Sequence, residues 1–275
     1  MVLLYHFLRR LWKLHAPHTH GNLFTQHPTN WSHILLSPIY KSGKIPTLDP
    51  LHPKNYRGIC HITAIAMNFQ KGLLNSLSAF TADHLPASPH RAPALVAGNL
   101  SKPFMPSTLS SNSGTHLHLP TYVFFGDITL AFPSVFRQQL LLRLHDYGVP
   151  LDVWQHLRAL HHTITLRVLH SHNAPDSYVN NLKGLTEGGR LCPLLWGLYV
   201  AILFTASNAP SPTSASPPPH AAFFIGILLF VDDFVLLASF ALELLALMRC
   251  TQIWCAENRL ELSFDKSKVM VFFEP

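Results

Sequence analysis

Charged residues are scarce in this chain of 275 residues. Asp, Glu, Lys and Arg together make up 12% of it, against about 25% in ordinary soluble domains. A soluble domain so poor in charge either exposes an apolar surface that promotes association or is missing the partner that would cover that surface. The charge that remains is positive, +6 with His neutral, and this favours nucleic acid over acidic partners. The hydrophobic fraction of 48% is enough for a sizeable core.

Cysteine motifs are also lacking. The four cysteines form no C-x-x-C pair and no disulfide framework, which indicates a reducing compartment. The 19 histidines have no Cys or acidic ligand at a zinc spacing, so we interpret them as solvated or core-edge residues.

Residues 1–14 carry their basic residues after the apolar stretch, which predicts a basic amphipathic helix and no signal peptide. We therefore expect an intracellular protein, nuclear or cytoplasmic, that is not secreted.

Two adjacent carboxylates stand out in what is present. Asp232 and Asp233 lie inside the apolar run 221–239, although charged groups are rarely buried unless they are paired or bind metal. Apolar residues on both sides predict a β-hairpin with the Asp-Asp pair at its tip. Three interpretations stay open at this point: a metal site, an ordinary exposed turn, or a membrane span, although an Asp in mid-span costs roughly 2.5–3.5 kcal/mol.

A third carboxylate ends another apolar run. Asp127 follows VFFG at 123–126, which predicts a strand that ends near this Asp. Carboxylate oxygens suit hard divalent cations, and three of them can hold two Mg²⁺ ions for phosphoryl transfer. The pattern therefore predicts a carboxylate metal site, if the two segments meet.

Strand and helix patterns alternate along the chain and predict an α+β fold with helices on one face of a sheet. Three regions are expected: a basic helix and loop at 1–30, a region at 31–120 with a poorly ordered Pro/Ser/His-rich stretch at 84–120, and a region at 121–275 with a Pro/Ser-rich linker at 206–220. The predicted strands are 34–40, 122–125, 163–169 and 268–273, and the predicted helices are 62–80, 138–147, 151–160, 191–204 and 242–257.

Six segments, in this order, resemble the reverse transcriptase domain of non-LTR (LINE-type) retrotransposons. They are WSHILLSPIYKSG at 31–43, NYRGI at 55–59, DITLAFPSV at 127–135, GLTEGGRLCPLL at 184–195, FVDD at 230–233 and LELSFDKSKVMV at 260–271. A single D-D box is weak evidence, whereas six boxes in order are specific. Given these six segments, the metal-site interpretation of Asp232 and Asp233 is favoured over the exposed turn and the membrane span.

The resemblance implies an RNA-directed DNA polymerase shaped like a right hand. Residues 31–120 would form the fingers, and residues 121–275 would form the palm with its antiparallel sheet. Asp127, Asp232 and Asp233 would be the catalytic carboxylates and the metal ligands, with Mg²⁺ as the cofactor and Mn²⁺ as an alternative ion. The expected partners are an RNA template with a DNA primer and deoxynucleoside triphosphates, with no membrane; the oligomeric state is not specified.

The resemblance also implies a set of nucleotide-binding residues. Cationic fingers residues would contact the triphosphate, an aromatic gate would exclude a ribose 2′-hydroxyl, and glycines would admit the backbone close to the nucleotide. Three alternatives stay open. Lys41 and Arg57 could be surface residues, and Phe132 could be a core residue. Lys266 competes with Lys268 for the position on the pyrophosphate side. The residues assigned are Lys41, Arg57, Phe132, Gly184, Glu187, Gly188 and Lys268.

The chain departs from the family pattern in places. Glu187 stands where the family has Gln, and Leu130, Pro133, Cys192 and Ser263 replace Lys, Asp, Ser and Asn. The chain also ends where a thumb is expected to begin. Three functions are therefore compared: a polymerase fragment, a catalytically inactive retrotransposon relic that at most binds nucleic acid, and a small membrane protein.

Overall fold

The computed structural model describes nine stretches of the chain. They are residues 27–28, 31–41, 55–84, 121–162, 164–169, 178–207, 227–230, 232–238 and 240–272. The predicted N-terminal helix, residues 85–120 of the Pro/Ser/His-rich stretch predicted at 84–120, and residues 208–220 of the linker predicted at 206–220 lie outside these ranges. His84 and residues 206–207, which were predicted to be irregular, are helical.

The described residues contain strands and helices in alternation. The strands are His33–Tyr40 (β1), Tyr56–His61 (β2), Thr121–Thr129 (β3), Ile164–Val168 (β4), Val179–Asn181 (β5), Ile227–Phe230 (β6), Asp233–Ala238 (β7), Glu261–Leu262 (β8) and Lys268–Phe272 (β9). The helices are Ala64–His84 (α1), Ala131–Ser134 (α2), Arg137–Asp146 (α3), Leu151–His162 (α4), Cys192–Ser207 (α5) and Ala241–Glu257 (α6). A 3₁₀ turn, Phe264–Lys266, precedes β9.

The elements predicted within these ranges are confirmed with small shifts of their ends. The stop predicted after α3 has a clear cause, because Gly148 adopts a φ of 79° and its N–H donates to the carbonyl of His145. A left-handed residue at that position is favourable for glycine. Three short strands, β2, β5 and β8, were not predicted.

Two compact units can be distinguished, and each combines separate parts of the chain. The first comprises residues 1–86 and 135–195, and the second comprises residues 87–134 and 196–275. The division at residue 120 that the resemblance implies stays a prediction about domains.

The first unit is built on a four-stranded sheet in the order β2-β1-β4-β5. β1 pairs antiparallel with β2 but parallel with β4, so this sheet is mixed. Helix α4 packs against both α1 and α3. Helix α1 buries one apolar face at helical spacing, and the core of the unit includes Ile34, Phe69, Leu73, Leu77, Leu140, Leu144, Leu157 and Ile164.

The second unit is built on an antiparallel sheet in the order β6-β7-β3-β8, with β9 also paired to β3. The central strand β3 has β7 on one side and β8 and β9 on the other. Helix α6 packs against β7, β3 and β8. The buried side chains of this unit include Phe124, Ile128, Trp196, Tyr199, Phe234, Leu236 and Trp254.

The β6–β7 hairpin differs by one residue from the prediction. The predicted tip was the Asp-Asp pair, but Asp233 is paired with Phe230. Asp233 is therefore the first residue of β7, and only Asp232 lies in the turn. The pairing of Phe230 with Asp233 fixes the register of both strands.

The membrane interpretation finds no support in the described residues. Part of the apolar run 221–239 forms the strands β6 and β7 and no helix. Within the described ranges, no helix is both long enough and apolar enough to cross a bilayer.

Gly126 allows the closest approach within the second sheet. It lies opposite Phe234, and a Cβ atom at Gly126 would be 2.2 Å from Cζ of that ring. Both residues are buried, so the ring has little room to move. The glycine therefore lets the aromatic ring cross β3 immediately before Asp127.

We expect Gly126→Ala to destabilise the protein by about 1–3 kcal/mol, because overpacking forces side chains off their rotamers or shifts the backbone. The free energy of unfolding from urea titration measures this. Gly72→Ala is the control: no heavy atom lies within 4 Å of a Cβ atom there, and alanine inside a helix is favoured over glycine by roughly 0.5–1 kcal/mol. A neutral Gly126→Ala would show that the ring relaxes freely.

Candidate active site

Three carboxylates lie at one end of the antiparallel sheet. Asp127, near the end of β3, pairs in register with Asp233 of β7. Residues directly opposite in an antiparallel pair share one face, with Cβ atoms roughly 4.5–5.5 Å apart. The hairpin tip is held to β3 because the N–H of Ile128 donates to the carbonyl of Asp232 at 2.8 Å. The structure thus brings together the three aspartates that the sequence singled out.

The electrostatics at Asp233 follow from this crowding. Burial raises the pKa of the Asp233 carboxyl above its ordinary value, and the negative charges of Asp232 and Asp127 raise it further. The ammonium of Lys266 acts in the opposite direction and lowers that pKa. The site therefore favours a bound proton or a cation, as expected of like charges held close together.

Lys266 provides one such positive charge. Its Nζ lies 2.7 Å from Oδ2 of Asp127, whose side chain is only 11% exposed. The backbone supports this contact, because the N–H of Ser263 donates to the carbonyl of Asp127 at 2.8 Å, just before the 3₁₀ turn that contains Lys266. Between the two lysines left open by the sequence, Lys266 reaches the carboxylates. Lys268 is exposed and pairs through its backbone with Phe125.

The carboxylate oxygens of this site are chemically suited to bind a divalent cation. Carboxylate oxygens are the ligands that Mg²⁺ prefers, and a cation would relieve the repulsion that raises the pKa of Asp233. In the part of the chain that is described, however, no three His, Cys, Asp or Glu side chains are already arranged around a metal position. One oxygen of Asp127 is instead in contact with Lys266.

The segment after Asp127 carries the predicted aromatic gate. Phe132 lies in the short helix α2, is half-buried, and has its ring centroid 6.0 Å from that of Trp196. It is neither fully in the core nor fully in solvent. Just before this helix, Leu130 adopts a φ of 51°, a left-handed conformation that is uncommon for a residue with a side chain.

The remaining predicted nucleotide residues belong to the first unit. Arg57 is exposed on β2, opposite Ile39 of β1. Lys41 follows β1, and its N–H donates to the carbonyl of Asn55 at 2.8 Å. These two cations therefore lie at the same end of the β1–β2 pair.

The glycine box at 184–189 packs against β2 inside the first unit. Gly184 and Gly188 both have positive φ values, 88° and 100°. A Cβ atom at Gly188 would lie 3.1 Å from the carbonyl oxygen of Cys60. The N–H of Cys60 donates to the carbonyl of Glu187 at 3.0 Å. The structure thus explains Gly188 by its approach to β2; an approach to nucleotide stays a prediction.

The carboxylate of Glu187 affects its neighbours. Burial raises the pKa of the Cys60 thiol to about 11, and the negative charge of Glu187 adds to this shift. Cys192, which replaces a Ser of the family pattern, donates from Sγ to the carbonyl of Thr186 at 2.7 Å. A thiol therefore holds this turn in place, as a hydroxyl would.

Comparison with known proteins matches most of the chain to one family. The family model described as reverse transcriptase (RNA-dependent DNA polymerase) matches residues 39–272. The chain belongs to the reverse transcriptase family. No curated protein matches it.

The fold of this reverse transcriptase domain has a counterpart among solved structures. It is similar to apo telomerase from Candida tropicalis truncated from its C-terminal domain, with a TM-score of 0.52 and 11% sequence identity. The match covers 90% of this chain and 52% of the telomerase chain. The chain thus spans about half the length of that structure, and at this identity the likeness concerns the fold alone.

We expect Lys266→Met to raise the pKa of Asp233 further, and Asp127→Asn to lower it, because the first change removes a positive charge and the second a negative one. Carboxyl ¹³C NMR titration measures both shifts. Lys268→Met is the matched control and should leave this pKa nearly unchanged. Equal effects of the two lysine variants would contradict the assigned contact.

The sign of the stability effect follows from the raised pKa of Asp233. The protonated carboxyl is favoured in the folded state, so its contribution to stability is present below the ordinary pKa of 3.8. That contribution is lost as the pH rises through the raised value.

Proposed function

We propose that this chain is the RNA-directed DNA polymerase domain of a non-LTR retrotransposon. The observation that carries the proposal is the meeting of Asp127, Asp232 and Asp233 at one sheet end, in a chain whose family model covers residues 39–272. The LINE-type assignment depends on the six boxes and their order. In this proposal residues 31–120 correspond to the fingers and residues 121–275 to the palm.

Asp127 and Asp232 would be the main ligands of the divalent metals, and Asp233 would complete the site. Bound Mg²⁺ supplies activation of a primer 3′-hydroxyl and neutralisation of the triphosphate and leaving pyrophosphate. The chain itself would orient the carboxylates through the β3–β7 pairing. Lys266 would offset the negative charge of the Asp127 carboxylate, and Arg57 and Lys41 would bind triphosphate oxygens.

An inactive relic is the second candidate, and specific residues favour it. Glu187 places a half-buried negative charge in the glycine box, where the family has a neutral Gln. Close to an incoming triphosphate this charge would be repulsive, and more so where water is excluded. Leu130, in its left-handed conformation, replaces the Lys of the same family pattern.

Single-nucleotide primer extension with Mg²⁺ or Mn²⁺ tests the polymerase proposal. We expect slow incorporation, well below the ~1 s⁻¹ at the lower end of typical enzymes, because poor positioning alone costs roughly 10²-fold. Glu187→Gln should raise the rate, since it removes the repulsive charge while leaving the backbone bond to Cys60. Asp232→Asn should abolish it.

The matched control is Asp146→Asn, an exposed aspartate at the end of α3, which should leave the rate unchanged. Full activity of Asp232→Asn would refute the site assignment. No extension by the unmodified chain or by Glu187→Gln would establish the relic.

We expect the chain to bind a primer–template weakly and with a strong salt dependence, since phosphate contacts by Lys and Arg release counterions. Arg57→Ala should reduce the slope of log affinity against log salt by about 0.9, the value for one duplex phosphate contact. Fluorescence anisotropy across a salt series measures this slope. Lys71→Ala, which removes an exposed charge from α1, is the control. Salt-insensitive binding would count against the proposal.

A further inference from the structure

Strand β9 is an outer strand of the antiparallel sheet in the second unit. Among the described residues it pairs with β3 alone, so the N–H and C=O groups along its other edge meet no strand there. Such an edge is a template for a further strand, and proteins usually protect it with charges, a proline or a bulge. The pairing of β9 with β3 contains no bulge, and Lys268 is its only charged residue.

Both faces of β9 are also exposed. Successive side chains of a strand point to opposite faces of a sheet, yet every residue of β9 is exposed. Val269, opposite Phe124, is 54% exposed, and Met270, opposite Val123, is 46% exposed. In β6, at the other edge of the same sheet, Ile227 is by contrast fully buried. The surface of β9 therefore needs a partner that supplies backbone hydrogen bonds and apolar contacts together.

Another strand is the partner that meets both needs. A bilayer offers no hydrogen-bonding groups to a strand edge, and a helix has its own backbone groups paired internally. An added strand satisfies the N–H and C=O groups of the edge, and its side chains meet those of β9 on both faces.

The sequence of this segment is complementary to itself in one direction. From Lys268 onwards the chain reads KVMVFFE, with a cation at one end, an anion at the other and five apolar residues between them. Two copies can be paired antiparallel so that Val271 meets Val271. Lys268 is then opposite Glu274 of the other copy, which joins opposite charges. Met270 is opposite Phe272, a favourable contact of sulfur with an aromatic ring. A parallel pairing would place like charges side by side.

We propose that two copies of this chain associate through β9, in an antiparallel pairing with Val271 on the two-fold axis. The two antiparallel sheets then form one continuous sheet, and both copies contribute the same surface, as a closed two-fold interface requires. The candidate active sites stay outside this pairing, because Asp127 lies beyond the Lys268 end of β9. The inference goes beyond the proposed function and does not depend on it.

Disulfide cross-linking tests the pairing and its register together. The two Val271 residues are direct neighbours in this register, with Cβ atoms about 4.5–5.5 Å apart, near the separation that a disulfide needs. We expect Val271→Cys to form a covalent dimer when oxidised with copper phenanthroline, in a background in which the exposed Cys250 is replaced by Ser. A non-reducing gel measures the yield.

Val269→Cys is the matched control for this cross-link. Val269 lies on the same strand and is more exposed than Val271. In the proposed register, however, the two copies of Val269 are offset by about four residues, or about 13 Å along the strands. We therefore expect no covalent dimer from this variant.

Exchange of the two terminal charges tests the direction of the pairing. Lys268→Glu and Glu274→Lys should each weaken the dimer roughly tenfold, because each change turns two exposed attractions into two repulsions. The double exchange should restore the dissociation constant of the unmodified chain. Sedimentation velocity across a concentration series measures this constant, and far-ultraviolet circular dichroism verifies that each variant is folded. Lys71→Glu, a charge reversed on α1, is the control and should leave the constant unchanged.

Three results would overturn the proposal. The first is a chain that stays monomeric at every soluble concentration, which would leave the edge to a strand of a different protein. The second is a cross-link of Val269→Cys as efficient as that of Val271→Cys, which would indicate unspecific apolar association. The third is a double exchange that binds no better than the two single variants.

Discussion

The pairing of β3 with β7 is the constraint on which the candidate site depends. It sets Gly126 beneath Phe234 and, one residue later, Asp127 opposite Asp233. The first contact is apolar packing that tolerates no Cβ atom. The second holds two carboxylates on one face of a sheet. Because both belong to the same register, the packing that stabilises the sheet also enforces the repulsion between the carboxylates.

Lys266 partly offsets that repulsion. A compact ammonium 2.7 Å from Oδ2 of Asp127 compensates part of the negative charge without any added ion. A divalent cation that used the same oxygen would have to displace it. Lys266 is half-exposed on a short turn, so the displacement requires side-chain rotation and no rearrangement of β3. The same lysine therefore offsets the charge of Asp127 here, and under the proposed function a metal would take over that role.

Much of this architecture could be predicted from the sequence, because local patterns determine it. Apolar runs that end in Asp127 and Asp232 predicted the strands and the hairpin, and helical periodicity predicted α1 and α3–α6. Non-local features escaped prediction. The parallel β1–β4 pairing joins residues about 130 positions apart, and no local signal specifies such a partner. The hairpin tip differs from the prediction because Asp233 pairs with Phe230 and begins β7. Lys266 was not separable from Lys268 until the turn before β9 was known.

To distinguish an active polymerase from an inactive relic, one must know whether the departures from the family pattern alter the fold or only the side-chain chemistry. The backbone around Glu187 retains its fold: the carbonyl of Glu187 accepts from Cys60, and Gly188 adopts the conformation that its approach to β2 requires. Cys192 preserves a hydrogen bond to Thr186 in place of a hydroxyl. The departures from the family pattern thus leave the framework intact and change the charge presented by it. If the chain is a relic, a defect confined to the charge of Glu187 would be local, because the backbone at this position keeps its hydrogen bond to Cys60.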